Sequence, residues 1–274
     1  MNPARSPILI VGAHRSGTSA TARGLEILGL QIGQRLDSHR EPKALQQLHE
    51  AYLKRFGAAW HRPNAFLESI QTKEGECQCR EYLRENLRGQ FASIFGYRRN
   101  PRGWWLLARL KLGALWGWKE PRTTLFAPAW LRIFPEARII DVVRHPVAVA
   151  KSIRQRELEF RAGGDPPTPG LNELDYCLDL ALTYINSGGT LATSAAHYRR
   201  IRFEEIQADP TEKLKEIADF CGLRFRRAQL ERSAATIRPE SSSPWQGFSE
   251  ATARELLSRY PGVAKLGYGW AGAP

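Results

Sequence analysis

Ile8-Leu9-Ile10-Val11-Gly12-Ala13-His14-Arg15-Ser16-Gly17-Thr18-Ser19 is the stretch on which the fold turns. Four consecutive apolar residues that stop at a glycine predict a strand buried on both faces. Residues 20–30 then place apolar side chains at helical spacing, with Gly29 near the end, so the unit reads strand, turn, helix. Backbone N–H groups in such a turn, together with the helix dipole, form an anion site. Gly12 and Gly17 let the main chain approach a phosphate closely. Arg15 adds a forked cation, and Ser16, Thr18 and Ser19 add hydroxyl donors. The plainer reading is a tight turn that merely carries polar residues. The spacing fits GxxxxG, but Thr18 stands where a nucleotide kinase or NTPase has the lysine that reaches its β- and γ-phosphates.

Outward from this unit, residues 41–56 predict a helix with Leu45, Leu48, Tyr52 and Leu53 on one stripe, and residues 73–95 a more polar helix. Residues 116–118 and 138–143 predict strands, with a helix near 125–134 between them and another over 147–160. Residues 163–170 (GGDPPTPG) are too rich in glycine and proline for anything but a loop, a candidate lid. Residues 171–196 predict a helix as far as the Gly188-Gly189 pair, 199–203 a strand and 211–220 a helix. Strands alternating with helices imply an α/β fold, P-loop-like, with three layers: a central parallel sheet flanked by helices. No repeat or linker interrupts the chain. One domain over residues 1–274 is expected, with a helical elaboration at about 34–115.

The chain has 274 residues, a formal charge of +12 and 42% hydrophobic residues, an ordinary globular composition. Cys77, Cys79, Cys177 and Cys221 form neither a disulfide framework nor a metal knuckle. The apolar run at Ile8 is too short for a secretion signal, and no stretch reaches the 18 or so apolar residues of a membrane span, so a cytoplasmic protein without an integral membrane segment is expected. No block of five or six basic residues marks a nucleic-acid arm, and no nucleic-acid partner is expected. A basic field would nonetheless steer a polyanionic nucleotide inward.

A second segment, residues 137–152 (ARIIDVVRHPVAVAKS), reads as a strand, then Arg144, then Pro146 opening a helix that carries Ser152. Alone, Arg144 reads as a surface salt bridge and Ser152 as a solvated helix position. In this order after a phosphate loop, they can converge on one anion. The loop bearing Arg15-Ser16-Gly17-Thr18-Ser19 resembles the 5′-phosphosulfate loop of sulfotransferases that use 3′-phosphoadenosine 5′-phosphosulfate (PAPS). The second segment resembles their RxPxxxxxS 3′-phosphate motif, departing from it at His145 and Ala148. The resemblance extends to residues 198–223 as a marker of fold and covers most of the chain. It implies PAPS as co-substrate, with Arg15, Ser16, Gly17, Thr18 and Ser19 at its 5′ end and Arg144 and Ser152 on its 3′-phosphate.

The resemblance also implies transfer of a sulfuryl group to an acceptor hydroxyl or amine, on a small molecule or a glycan. Arg15 would stabilise the leaving group. Gly117-Trp118-Lys119-Glu120-Pro121-Arg122 is similar to the WK[DE]PR stretch of bacterial and Golgi-type members, which puts Lys119 on the sulfonyl group and Arg122 toward nucleotide or acceptor. Glu41 occupies the approximate position of the family's catalytic glutamate, with His39 as rival base. A helix-end charge for Glu41 and a surface pair with Glu120 for Lys119 are the plainer readings. No metal is implied, because the six histidines show no paired ligand spacing. Trp104-Trp105 and Trp116 with Trp118 are core or cleft wall. Two other classes remain: a P-loop nucleotide kinase or NTPase, with Asp141 as its strand aspartate, and a non-catalytic nucleotide-binding protein of the same fold.

Overall fold

A computed structural model of the protein describes residues 6–33, 36–94, 113–239 and 243–270. Four strands, β1 (Ile8–Val11), β2 (Gly117–Lys119), β3 (Arg138–Val143) and β4 (His197–Arg202), form one parallel sheet in the order β2-β1-β3-β4. The fold is α/β, as the alternation predicts. Register pairs Ile8 with Gly117 and Arg138, and Val143 with Arg202.

The two helical layers follow from the strand period of two. Ile8 and Ile10, both fully buried, pack with Ile140, Val142 and Ile201 against α1 (Thr18–Ile27) and against a later helix carrying Leu214 and Ile217. Leu9 and Val11 face the opposite way and join Trp118, Ile139 and a larger cluster. That cluster takes side chains from α2 (Lys43–Lys54), α3 (Asn64–Ile70), α4 (Lys73–Ile94), α5 (Thr123–Ile133), α6 (Pro146–Ala162) and α7 (Leu174–Thr190). Complete burial of an Ile, Leu or Val contributes about 1.5–3 kcal/mol each, so the four residues of β1 anchor both layers at once. The chain ends through α8 (Phe203–Ala208), α9 (Pro210–Cys221), α10 (Arg227–Ala234), α11 (Glu250–Arg259) and α12 (Pro261–Lys265).

Several details differ from the sequence reading, among them β2 at Gly117–Lys119 rather than 116–118 and β4 at His197–Arg202 rather than 199–203. The α2 helix begins at Lys43, not at Glu41, because Pro42 disfavours helical backbone in the residue before it and is itself extended (ψ 111°). The α7 helix continues through Gly188-Gly189 to Thr190. A Cβ at position 188 would lie 2.8 Å from the Asp141 carboxylate, so this glycine lets the helix close on β3 instead of ending there. The short helices α3, α8, α10, α11 and α12 carry too few turns to show a clear period. Trp116 and Trp118 are core. Trp104 and Trp105 lie outside the described residues, as does the expected elaboration between 95 and 112. No described helix is long and apolar enough to cross a membrane.

The 163–170 loop is tied to α6. The buried Glu157 carboxylate accepts the Thr168 N–H at 2.7 Å and the Arg161 Nε–H at 2.8 Å, and Arg154 donates to the Asn172 carbonyl at 2.8 Å.

Candidate active site

The carboxyl ends of β1, β2 and β3 deliver Gly12, Lys119 and Arg144 to one edge of the sheet, where open α/β sheets hold their ligands. Gly12 has φ 139°, and a Cβ there would overlap the Val142 carbonyl oxygen. Gly17 has φ 93°, and a Cβ there would strike the Phe203 ring. Arg15 is also left-handed, with φ 69°, an uncommon conformation for a residue with a side chain. No side chain caps the first turn of α1, which leaves its N–H groups for an anion. Thr124 at the start of α5 secures the loop from below by accepting the Gly12 N–H at 2.9 Å.

The two arginines expected to bracket one ligand share one cavity. It measures about 210 Å³ and is lined by Arg15, Gly17, Thr18, Ser19, Glu41, Lys119 and Arg144 among others. Arg144 donates to the Arg15 carbonyl at 3.1 Å, and the Arg15 Nε–H donates to Ser152 Oγ at 2.9 Å. Burial, then the charges of Arg156 and Arg144, lower the proton affinity of the Arg15 guanidinium from its ordinary value. Such crowding of cations calls for an anionic ligand. Ser16 is fully buried beneath the loop, and its Oγ finds no partner among the described residues. Ser152 lines the adjoining cavity instead, with Arg15 and Arg156.

Glu41 arrives by a folded turn. Asp37 Oδ1 accepts the N–H groups of His39 (2.8 Å) and Glu41 (2.9 Å), and Asp37 Oδ2 takes the Gln46 amide at 2.9 Å. Glu41 is 4% exposed; Oε1 meets Lys119 Nζ at 2.5 Å and Oε2 accepts from Gln46 at 2.5 Å. It is therefore no surface helix-end charge. Lys119 is 2% exposed and pairs with Glu41 rather than with Glu120. Burial raises the Glu41 carboxyl above its ordinary value and Glu120 adds to the rise, against the pull of Lys119.

Glu120 turns the other way and is itself fully buried. Trp130 Nε1–H donates to His49 Nε2 at 3.1 Å, which leaves the His49 proton on Nδ1 to face Glu120 at 2.5 Å. The second Glu120 oxygen takes Arg122 Nη1 at 2.6 Å, and Arg122 Nη2 reaches Glu50 at 2.6 Å. Burial alone would raise Glu120, but Arg122 and His49 outweigh it and hold the carboxyl at about 2. Arg122 thus lines a second cavity of about 230 Å³ with its charge already matched. That cavity shares His14, Arg15, His39, Glu41 and Arg156 with the first, and adds Trp60, Ile153, Phe160 and Leu171 as apolar wall.

A sequence profile described as the sulfotransferase family matches residues 7–227. The chain belongs to the sulfotransferase family. No curated protein sequence matches it. Several solved sulfotransferases share its fold at low identity. The sulfotransferase domain from the Synechococcus PCC 7002 olefin synthase is 17% identical, with a TM-score of 0.53 over 97% of this chain and 96% of that one. The Alicyclobacillus acidocaldarius sulfotransferase is 17% identical, with a TM-score of 0.51 over 96% and 94%. Mouse sulfotransferase SULT7A1, solved in complex with PAP, is 13% identical, with a TM-score of 0.53 over 95% and 85%.

Sequence reading of this sulfotransferase missed two side chains that line both cavities, His14 and Arg156. Arg156 was within reach, since it stands four residues after Ser152 and so on the same face of α6. The aspartate that a P-loop NTPase reading needs is committed elsewhere: Asp141 is buried and bound by Arg200 (2.7 Å) and the Tyr198 hydroxyl (2.7 Å).

Proposed function

We propose that this sulfotransferase moves a sulfuryl group from PAPS to a hydroxyl or amine of a small-molecule acceptor. One observation supports the reading above others: a single cavity holds the Arg15 and Arg144 guanidinium groups together with the Lys119–Glu41 pair. The unspent N–H groups at the start of α1 and the left-handed Arg15 suit the 5′ end of the nucleotide. Arg144 suits the 3′-phosphate, and Ser152 supports it through Arg15.

In-line transfer forms a bond from the acceptor oxygen or nitrogen to sulfur as the sulfur–oxygen bond to the 5′-phosphate breaks. The electron pair of that broken bond remains on the departing bisphosphate, so positive charge must already stand there. Arg15 supplies it at the phosphate and Lys119 at the sulfonyl oxygens. When Lys119 turns to the sulfonyl group it releases Glu41 Oε1, and that carboxylate takes the acceptor proton. His39, on both cavities, is the second candidate for that proton. Without donor, cation and base neutralise each other.

The test is thermal. Adenosine 3′,5′-bisphosphate should raise Tm without magnesium, and Arg15→Ala with Arg144→Ala should abolish the rise. Absence of any shift at millimolar ligand would overturn the reading.

A further inference from the structure

His14 is a feature of the phosphate loop that donor binding leaves unexplained. Its ring sits where the two cavities meet, with Trp60 at 4.4 Å between ring centroids and the edge of Tyr184 at 5.6 Å. Tyr184 in turn fixes the Trp60 main chain by donating its hydroxyl to that carbonyl at 3.0 Å. The imidazole is therefore held by packing on its faces. No hydrogen bond to either ring nitrogen is found among the described residues, and Nε2 is buried without a partner. Each buried polar group of this kind calls for an explanation.

Burial, then the charges of Arg122, Lys119 and Arg156, hold the imidazole well below its ordinary proton affinity, with Glu120 alone opposing. A neutral ring offers one N–H and one lone pair, which is the complement of a hydroxyl. Around it the cavity favours an uncharged guest. The Arg122 charge is matched by Glu120 and Glu50, and that of Glu157 on the same wall is met by Arg161. Arg15 and Arg156 remain, but on the proposed reading they face a donor that carries several negative charges. A second anion beside it would be repelled.

Resting on the sulfotransferase reading, we infer that His14 selects the acceptor: it hydrogen-bonds a second, uncharged hydroxyl near the one that reacts at Glu41. The acceptor is then a neutral diol whose apolar body lies against Trp60, Ile153 and Leu171. A site that hydrogen-bonds a substrate hydroxyl rejects the analogue lacking it far more strongly than an apolar wall could.

The probes are catechol and resorcinol, which carry a second hydroxyl, against phenol, which has none, and salicylate, which carries a carboxylate. With wild type and PAPS, kcat/KM for the better diol should exceed that for phenol and for salicylate by about 10² or more. His14→Phe should bring the diol-to-phenol ratio near 1, and His14→Gln should restore part of it, with adenosine 3′,5′-bisphosphate still bound by both variants. Equal use of phenol, preference for salicylate, no turnover of either diol, or an unchanged ratio in His14→Phe overturns the inference while bisphosphate still binds. Loss of bisphosphate binding by wild type would instead overturn the donor reading and this one with it.

Discussion

Lys119 and Glu41 are nearly inaccessible and face each other at 2.5 Å, so neither can be removed without stranding the other. Deleting one partner of a buried pair costs roughly 3–5 kcal/mol, whereas replacing both by apolar groups is often neutral. Lys119→Ala should therefore lower stability by an amount in that range. Lys119→Met with Glu41→Leu should recover most of it in a denaturant melt, yet show no transfer. The raised Glu41 carboxyl gives a second prediction at this scale. On the proposed reading Glu41 is the base and works deprotonated, so activity is lost as pH falls through its pKa, and a raised value places that loss above the usual carboxylate range. The acid limb of kcat/KM should lie above pH 4.5, the ordinary value, and should vanish in whatever activity Glu41→Gln retains. The convergence of Arg15, Lys119 and Arg144 on one cavity was legible by resemblance, because they stand in recognisable strings. His14 was not, since a lone histidine carries no spacing; its meaning comes from Trp60 and Tyr184, distant in sequence and packed on it only in the fold.

Among the elements, β1 and β3 were readable to the residue: β1 is a continuous apolar run, as a strand covered on both faces should be, and in β3 only Arg138 and Asp141 interrupt it. Helix ends were less readable, as Pro42 and the Gly188-Gly189 pair show: one delays a helix that the pattern starts early, the other fails to stop one. The contact between the phosphate loop and α8 rests on Gly17, whose φ of 93° and nearness to Phe203 leave no room for a methyl group. Gly17→Ala should cost about 1–3 kcal/mol from backbone strain alone and weaken adenosine 3′,5′-bisphosphate binding measured by calorimetry. The Glu120 network joins α2 to the segment between β2 and α5. A carboxyl depressed to about 2 contributes stability that is intact above the ordinary value and lost as pH falls toward 2. Tm measured from pH 5 to pH 2 should fall less steeply in Glu120→Gln than in wild type, although the variant starts lower.

For the molecule as a whole, a formal charge of +12 has its strongest consequence in kinetics. Steering by such a field raises association rates by about 10–10³, and screening removes it once the Debye length falls to about 3 Å near 1 M salt. Stopped-flow binding of adenosine 3′,5′-bisphosphate should show kon falling by at least about 10-fold from low salt to 1 M, with koff changing less. The parallel sheet flanked by helices, and the cavity at its edge, were legible because alternating strands and helices permit few arrangements; the order β2-β1-β3-β4 was not read from the sequence. The acceptor side was not, since its walls come from α2, α6, the 163–170 loop and the Trp60 turn at once.

That loop is fastened through main-chain atoms, the Thr168 N–H and the Asn172 carbonyl, held by Glu157 and Arg154. A fastening of this kind is blind to which side chains the intervening residues carry. With Gly164 kept for its φ of 90°, the stretch can therefore be rewritten without undoing its clasp, and a library randomised over 165–167 should yield enzymes that differ in what they sulfate while gripping the nucleotide as before.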